Sequence, residues 1–207
     1  MRPTTMMVIL AALGPAPAMA QTAPAAPQGA EREAMIRQAL SAAPPTLRDH
    51  ARVMDLNGHV LREGSSDYTC LPAPPGLAGP MCLDRVFMQW FEAYANRRPL
   101  SISRVGLAYM MAGDSADGGA SNTNPFDTQP AAGNDWMVEG PHVMMIVPDP
   151  ALLEGISAAH HGGGAYVMWR GPPHWPTMMP GGGKPPQGRP AGSPARGAGP
   201  PLSRNAT

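Results

Sequence analysis

The sequence predicts an α+β fold: a single domain with an antiparallel or mixed sheet of five to seven strands, one dominant amphipathic helix and one long polar loop. Three observations support this expectation. Apolar residues recur at helical spacing over 84–96, two short runs at 105–111 and 143–147 are apolar on both alternations, and Asn57-Gly58 separates two short strand-like segments. These patterns indicate a helix packed on a sheet, two central strands and a tight hairpin turn.

The remaining elements are placed by the same patterns. Residues 30–40 are predicted to form a short amphipathic helix, and Asp84 is a suitable N-cap for the helix that follows it. The connection 112–140 has almost no apolar periodicity, and connections of this length are usually functional or mobile. The other expected elements are the hairpin strands 52–56 and 59–63, a strand at 68–71, a short helix at 151–156 and two final strands at 165–170 and 174–179, one of them at a sheet edge.

The amino terminus has the organisation of a cleavable secretory signal. Arg2 precedes an apolar run at residues 6–13, and Ala18-Met19-Ala20 stands before Gln21 as a small-residue cleavage site. We therefore expect residues 1–20 to be a signal peptide and the mature protein to be periplasmic or secreted. Neither this short run nor any later stretch is long enough to cross a bilayer, so no membrane span is expected.

Two further segments have too few apolar residues to fold. Residues 21–29 form a Pro/Ala spacer, and residues 180–207 form a Pro/Gly-rich tail that is expected to be disordered, which leaves 30–179 as the globular domain. Residues 21–179 contain 10 basic and 15 acidic residues, a formal charge of −5, so a nucleic-acid partner is not expected. The tail contains four basic residues and no acid, and it is either a solvated end or a contact for anionic envelope components.

Cys70 and Cys82 are the two cysteines of the chain. An even pair in an exported protein is most simply a disulfide, here expected to close a loop without regular structure of its own. The pair lacks the C-x-x-C spacing of redox-active thiols.

Methionine and histidine suggest a soft-metal site. His142 and Met144 are two residues apart on a predicted strand and so share a face, and further candidate ligands lie on strands that can pair nearby. Thioether and imidazole groups together suit Cu(I), so copper is the candidate cofactor. The alternative is core packing, because methionine fills irregular cores well. The proposed ligand set is His142, Met144, Met168, His174 and Met178.

Other candidate sites have weaker patterns. Oxygen donors between Asp114 and Asp127 suit Ca²⁺, although their spacing departs from the calcium-loop pattern and is also what turns require. Trp136 is expected to be the most exposed of a group of aromatic residues that either pack or bind a ligand, the others being Tyr166, Trp169 and Trp175. A zinc set is composed of Glu139, His142, Asp149, His160 and His161, with solvated histidines as its alternative.

The sequence contains no nucleophile elbow, no phosphate-binding glycine loop and no dinucleotide fingerprint. Ser65, Ser66 and Asp67 form a triad on paper with any histidine, including His50 or His59, and this is weak support for a hydrolase.

Several motifs are spread over residues 80–171: 80–84, 105–111 with 113–114, 121–125, 139–142, 147–149 and 166–171. Together they resemble a group of exported bacterial proteins without an assigned activity. The resemblance covers most of residues 80–179, implies one exported domain and adds no catalytic residue. The leading hypothesis is therefore a non-catalytic binding or accessory protein, followed by a copper-type envelope metal-binding protein and then by a small hydrolase.

Overall fold

The structure, a computed structural model, describes residues 24–75, 78–169 and 176–182. The predicted signal peptide at 1–20 and most of the tail at 180–207 lie outside the described residues. The helices are α1 (Gly29–Ser41), α2 (Pro45–Arg48) and α3 (Arg85–Ala95). The strands are β1 (Arg52–Met54), β2 (Val60–Arg62), β3 (Thr69–Leu71), β4 (Met81–Leu83), β5 (Gly106–Met110), β6 (Ala120–Ser121), β7 (Trp136–Met137), β8 (His142–Ile146), β9 (Tyr166–Val167) and β10 (Thr177–Pro180).

A mixed sheet of eight strands forms the centre of the fold, in the order β2-β1-β3-β4-β5-β8-β10-β9. The pair β1 and β3 is parallel, and the other neighbouring pairs are antiparallel. The α+β class and the mixed sheet confirm the sequence prediction, but the expected count of five to seven strands is wrong. The additional strand is β4, which lies in the segment predicted to be an irregular disulfide loop. The sequence does not indicate this strand, because three residues are too few to show an alternation.

The two faces of the sheet carry different layers. On one face α1 packs, through Ile36 and Ala39, over both cysteines and over Val53 of β1. On the other face α3 packs over a larger cluster that contains Leu83, Ala108 and most of the buried methionines. Side chains alternate between the faces along each strand, so Cys82 faces α1 while its neighbours Met81 and Leu83 face α3.

The dominant helix is fixed at its start by one carboxylate. Asp84 Oδ1 accepts a hydrogen bond from Phe87 N at 2.7 Å, which confirms the predicted N-cap. Asp84 Oδ2 accepts from Leu107 N of β5, also at 2.7 Å. The same side chain therefore caps α3 and ties it to a central strand of the sheet.

Most other elements lie where the sequence predicts them. The hairpin of β1 and β2 turns at Asn57-Gly58, and Gly58 has the positive φ of 90° for which glycine is favoured. Strands β5 and β8 pair in the interior of the sheet. The predicted helix at 151–156 is instead a 3₁₀ helix, Pro150–Leu153, and the long connection 112–140 contains the separate pair β6 and β7.

The disulfide between Cys70 and Cys82 is present, as predicted. The two residues lie directly opposite one another on β3 and β4, with a Cα–Cα distance of 3.9 Å, and both are completely buried. The bond therefore joins two paired strands, rather than ends of an irregular loop as we expected. Among the described residues, no helix combines the length and the apolar character that a bilayer crossing requires.

Candidate functional site

A cavity of about 110 Å³ lies between the α3 face of the sheet and α3 itself. Its walls are mainly apolar. The strands contribute Met81, Met110, Met137, His142, Met144 and Met178, the helix contributes Phe87, Trp90, Phe91 and Tyr94, and the loops contribute Asp114, Glu139, Met168 and Trp169. Six of the twelve methionines that follow the predicted cleavage point therefore line one cavity.

Strand register places several of these side chains next to one another. On β8, His142 lies opposite Met110 of β5, and Met144 lies opposite Met178 of β10. His142 and Met144 are two residues apart and face the same side of the sheet, as the sequence predicted. The predicted copper ligands His142, Met144, Met168 and Met178 all line the cavity. His174 lies outside the described residues.

His142 is a polar residue of the cavity wall whose hydrogen bonding to the described residues is incomplete. Its side chain is 1% exposed, and its Nδ1 lies 2.7 Å from the carbonyl oxygen of Gly140. A carbonyl oxygen only accepts, so Nδ1 carries the proton and donates it, and the lone pair of the neutral imidazole is on Nε2. No described residue makes a hydrogen bond to the buried Nε2. Burying an acceptor without a partner costs about 1–3 kcal/mol, so this nitrogen is suited to receive a ligand.

The acidic residues of the cavity wall are Asp114, Asp127 and Glu139, and a hydrogen bond connects Asp114 with Glu139. Asp114 is buried; its Oδ2 accepts from Glu139 N at 2.8 Å and its Oδ1 from Gly79 N at 3.3 Å. Burial raises the pKa of Asp114, and the hydrogen bond from Glu139 N and the nearby His142 oppose that rise. The Tyr166 hydroxyl donates to Glu139 Oε1 at 2.9 Å, and burial together with the Glu139 charge raises the pKa of Tyr166, so the hydroxyl stays protonated.

Part of this wall is not predicted by the sequence. Asp114 and Asp127, the two ends of the calcium-loop candidate, both line the cavity; Asp114 is buried, whereas Asp127 is half-buried and accepts a hydrogen bond from Asn124 Nδ2. Met81 and Met137 lie on strands too short to be recognised, and no local pattern connects either residue with His142. Met110 lies on one of the two predicted central strands, but its position opposite His142 is set by the register of β5 against β8, which the sequence does not predict.

Stacked aromatic rings cover the side of the cavity opposite the sheet. The rings of Trp90, Tyr94 and Trp169 lie within 11° of parallel, with centroids 5.3–6.1 Å apart. Trp169 has a left-handed backbone, φ 53°, and its indole nitrogen donates to the carbonyl of Ser121. Trp136 is half-buried and donates to Gly118 O, and Tyr166 is completely buried. Trp175 lies outside the described residues.

The proposed zinc set does not form one cluster. Glu139 and His142 line the cavity, and Asp149 accepts from Ala151 N at the start of a 3₁₀ helix. His160 and His161 instead converge on Asp135, a residue the sequence analysis did not include.

The triad written from the sequence is not formed by its proposed members. His50 Nδ1 lies 3.1 Å from Ser65 Oγ at the surface, while the carboxylate of Asp67 accepts from Arg85 at 2.8 Å. His59 is paired with Asp55 at 2.7 Å. These histidines therefore have local structural partners, and the geometry gives no support to the hydrolase hypothesis.

No family model matches the chain, and neither does a curated protein or a solved structure.

Proposed function

We propose that the protein is an exported, non-catalytic binding protein and that its cavity holds a soft monovalent metal ion, Cu(I). The observation that carries this proposal is the buried Nε2 of His142, which has no partner among the described residues and belongs to a wall that also contains six methionine side chains. Thioether sulfur and neutral imidazole nitrogen are the ligands that select Cu(I) over hard cations.

The surroundings of His142 match those of a metal-binding imidazole. Metal-ligating histidines usually donate the other ring N–H to a carbonyl or carboxylate, which fixes the tautomer and the ring orientation. The hydrogen bond from Nδ1 to Gly140 O does this at 2.7 Å. In the neutral ring, this hydrogen bond leaves the lone pair of His142 on Nε2, on the cavity side of the imidazole.

The methionine side chains of the cavity can change conformation to coordinate a bound ion. The methionine side chain has three rotatable bonds and a polarizable sulfur, so it can move its thioether by small rotamer changes. The cavity, at about 110 Å³, leaves space for such movement. Met144 and Met178 face each other across β8 and β10, and with His142 they form the set on which we place the ion.

The charge of the wall also favours a cation. Glu139 is half-buried beside Asp114, and both belong to a cavity that is otherwise mainly apolar. Charges interact more strongly where water is largely excluded, so an ionised carboxylate there contributes more to cation binding than one at the surface.

The remainder of the proposal concerns the compartment. The predicted signal peptide and the disulfide Cys70–Cys82 both support a periplasmic or secreted location. Because both cysteines are in the disulfide, neither offers a thiolate to compete with the thioethers for Cu(I).

A small apolar molecule with one hydrogen-bond donor is the second candidate ligand. The stacked rings of Trp90, Tyr94 and Trp169 support it, because aromatic walls with one polar group are typical of sites for small organic molecules. Such a ligand would donate to His142 Nε2 and would not require the methionine sulfur atoms.

The test is a metal titration of the mature protein under anaerobic conditions, with Cu(I) measured by competition against a chromogenic chelator and Ag(I) as a redox-stable probe. We expect one ion to bind per chain. His142→Asn should weaken the affinity by about tenfold or more, since asparagine keeps a donor near the Nδ1 position and removes Nε2.

Paired methionine variants provide the matched control. Met144→Leu with Met178→Leu removes two cavity thioethers, whereas Met145→Leu changes the adjacent residue on β8, which packs on the opposite face with Val147 and Val167. Leucine has nearly the same volume as methionine, so both variants should fold. Loss of affinity in the double variant and none in Met145→Leu supports the proposal. Binding no tighter than about 1 μM in the parent protein, or equal losses in both variants, contradicts it.

Phenol separates the two candidate ligands. If Ag(I) fails to bind and phenol binds in a manner that His142→Asn abolishes, the organic ligand replaces the metal ion as the proposed occupant.

A further inference from the structure

Away from the cavity, three potential ligand atoms converge on one point near the protein surface. His160 Nε2 lies 3.1 Å from Asp135 Oδ1, and His161 Nε2 lies 3.7 Å from the same oxygen. The ligand atoms of all three side chains lie within 4.8 Å of one another. Asp135 lies near the end of the long connection 112–140, and both histidines lie in one turn.

Local structure places the two imidazoles on the same side. His160–Gly162 is a 3₁₀ turn, and Gly163, which follows it, has a φ of 72°. Consecutive side chains in an extended segment point to opposite sides, but this turn places the centroids of the two imidazole rings 3.6 Å apart. An ion pair with Asp135 needs only one of these histidines, and two imidazolium ions so close together would repel each other.

Hydrogen bonding by Asn122 fixes the position of the Asp135 carboxylate. Asn122 Nδ2 donates to Asp135 Oδ2 at 2.9 Å and also to Ala158 O at 3.0 Å, so Asn122 links the Asp135 segment to the histidine turn. Oδ2 is thereby occupied by Asn122, which leaves Oδ1 for the point where the histidines meet.

We infer that Asp135, His160 and His161 form a zinc-binding site, separate from the proposed Cu(I) cavity. Two imidazole nitrogens and one carboxylate oxygen are a common three-residue ligand set for Zn²⁺, with water or another molecule at the fourth position. Bonds of about 2.0–2.1 Å in a tetrahedral arrangement place ligand atoms about 3.3–3.4 Å apart. The two measured separations, 3.1 and 3.7 Å, lie on either side of that value.

The two sites differ in ligand chemistry and can be tested independently. The surface site offers nitrogen and oxygen, which suit Zn²⁺, whereas the cavity offers thioethers, which suit Cu(I). This inference therefore does not rest on the proposed function, and either can fail alone.

The experiment is calorimetric titration of ZnCl₂ into mature protein that has been stripped with chelator, at about pH 7, because protonation of ligands competes with metal binding. We expect one Zn²⁺ per chain and a perturbation of the ring nitrogens of His160 and His161 in ¹⁵N-detected spectra. His161→Ala should weaken binding by about tenfold or more. This side chain is 77% exposed, so its removal should leave the fold intact.

Three further variants complete the test. Asp135→Asn should also weaken Zn²⁺ binding, and asparagine tolerates the left-handed backbone at this position, φ 43°. His50→Ala changes another exposed histidine, and His142→Asn changes the cavity; both should leave Zn²⁺ affinity unchanged. The inference is overturned if the parent protein binds Zn²⁺ no tighter than about 100 μM, or if His50→Ala loses as much affinity as His161→Ala.

Discussion

Replacing both Cys70 and Cys82 by alanine should lower the free energy of unfolding by at least about 3 kcal/mol. The disulfide joins residues separated by 12 positions. In the loop-closure treatment, a crosslink across about 12 residues removes unfolded-chain entropy worth about 3 kcal/mol at 25 °C. Both cysteines are completely buried beneath α1, so removing two sulfur atoms also removes packing contacts and adds to the loss.

Urea denaturation measures this prediction and separates its two parts. Parent protein unfolded in the presence of a reductant loses the crosslink but keeps both sulfur atoms, whereas the double alanine variant loses both. We expect the larger decrease in the variant, and a fall in melting temperature of about 6–12 °C for a loss of 3 kcal/mol. A difference below about 1 kcal/mol between oxidised and reduced parent protein would refute the entropic argument.

Two further predictions concern carboxylates that accept backbone hydrogen bonds. Burial raises the pKa of Asp55, but hydrogen bonds from His59 and Asn57 outweigh burial and hold it below its ordinary value. The contribution of Asp55 to stability is therefore complete above the ordinary aspartate pKa of about 3.9 and is lost as the pH falls through the lowered value. In urea titrations between about pH 5 and pH 2, Asp55→Asn should show a smaller acid-induced decrease in the free energy of unfolding than the parent protein. A decrease equal to that of the parent would contradict this. Asp84→Ala should cost about 2–3 kcal/mol, since it removes the cap on Phe87 N and leaves Leu107 N without its partner, while Asp84→Asn should cost less in the same titration; equal costs would argue against the cap.

Local sequence patterns were sufficient for much of the fold. Helix α3 was predicted because five apolar side chains recur at helical spacing behind an N-cap, and both signals lie within 13 residues. The hairpin of β1 and β2 follows from the backbone preference of Asn57-Gly58 alone. The shared face of His142 and Met144 on β8 was also predictable, because alternation along a strand fixes which of its residues share a face.

The parts that were missed depend on contacts between residues distant in sequence. Strand β4 has three residues and is recognisable only through its pairing with β3 and β5. The buried Asp114 accepts a hydrogen bond from the backbone nitrogen of Glu139, which lies 25 residues later in the chain. The convergence of Asp135 with His160 likewise spans 25 residues, and no periodicity reports such a meeting.

The disulfide also has a consequence for the cavity on the far side of the sheet. Sliding β4 by one residue against β3 would exchange the inward and outward side chains of the strand, which would take Met81 out of the methionine cluster and turn Cys82 toward it. The sulfur–sulfur bond forbids that slide, because it holds the two cysteines opposite one another. The covalent link beneath α1 therefore keeps the disulfide sulfur atoms and the thioether sulfur atoms on opposite faces of the sheet.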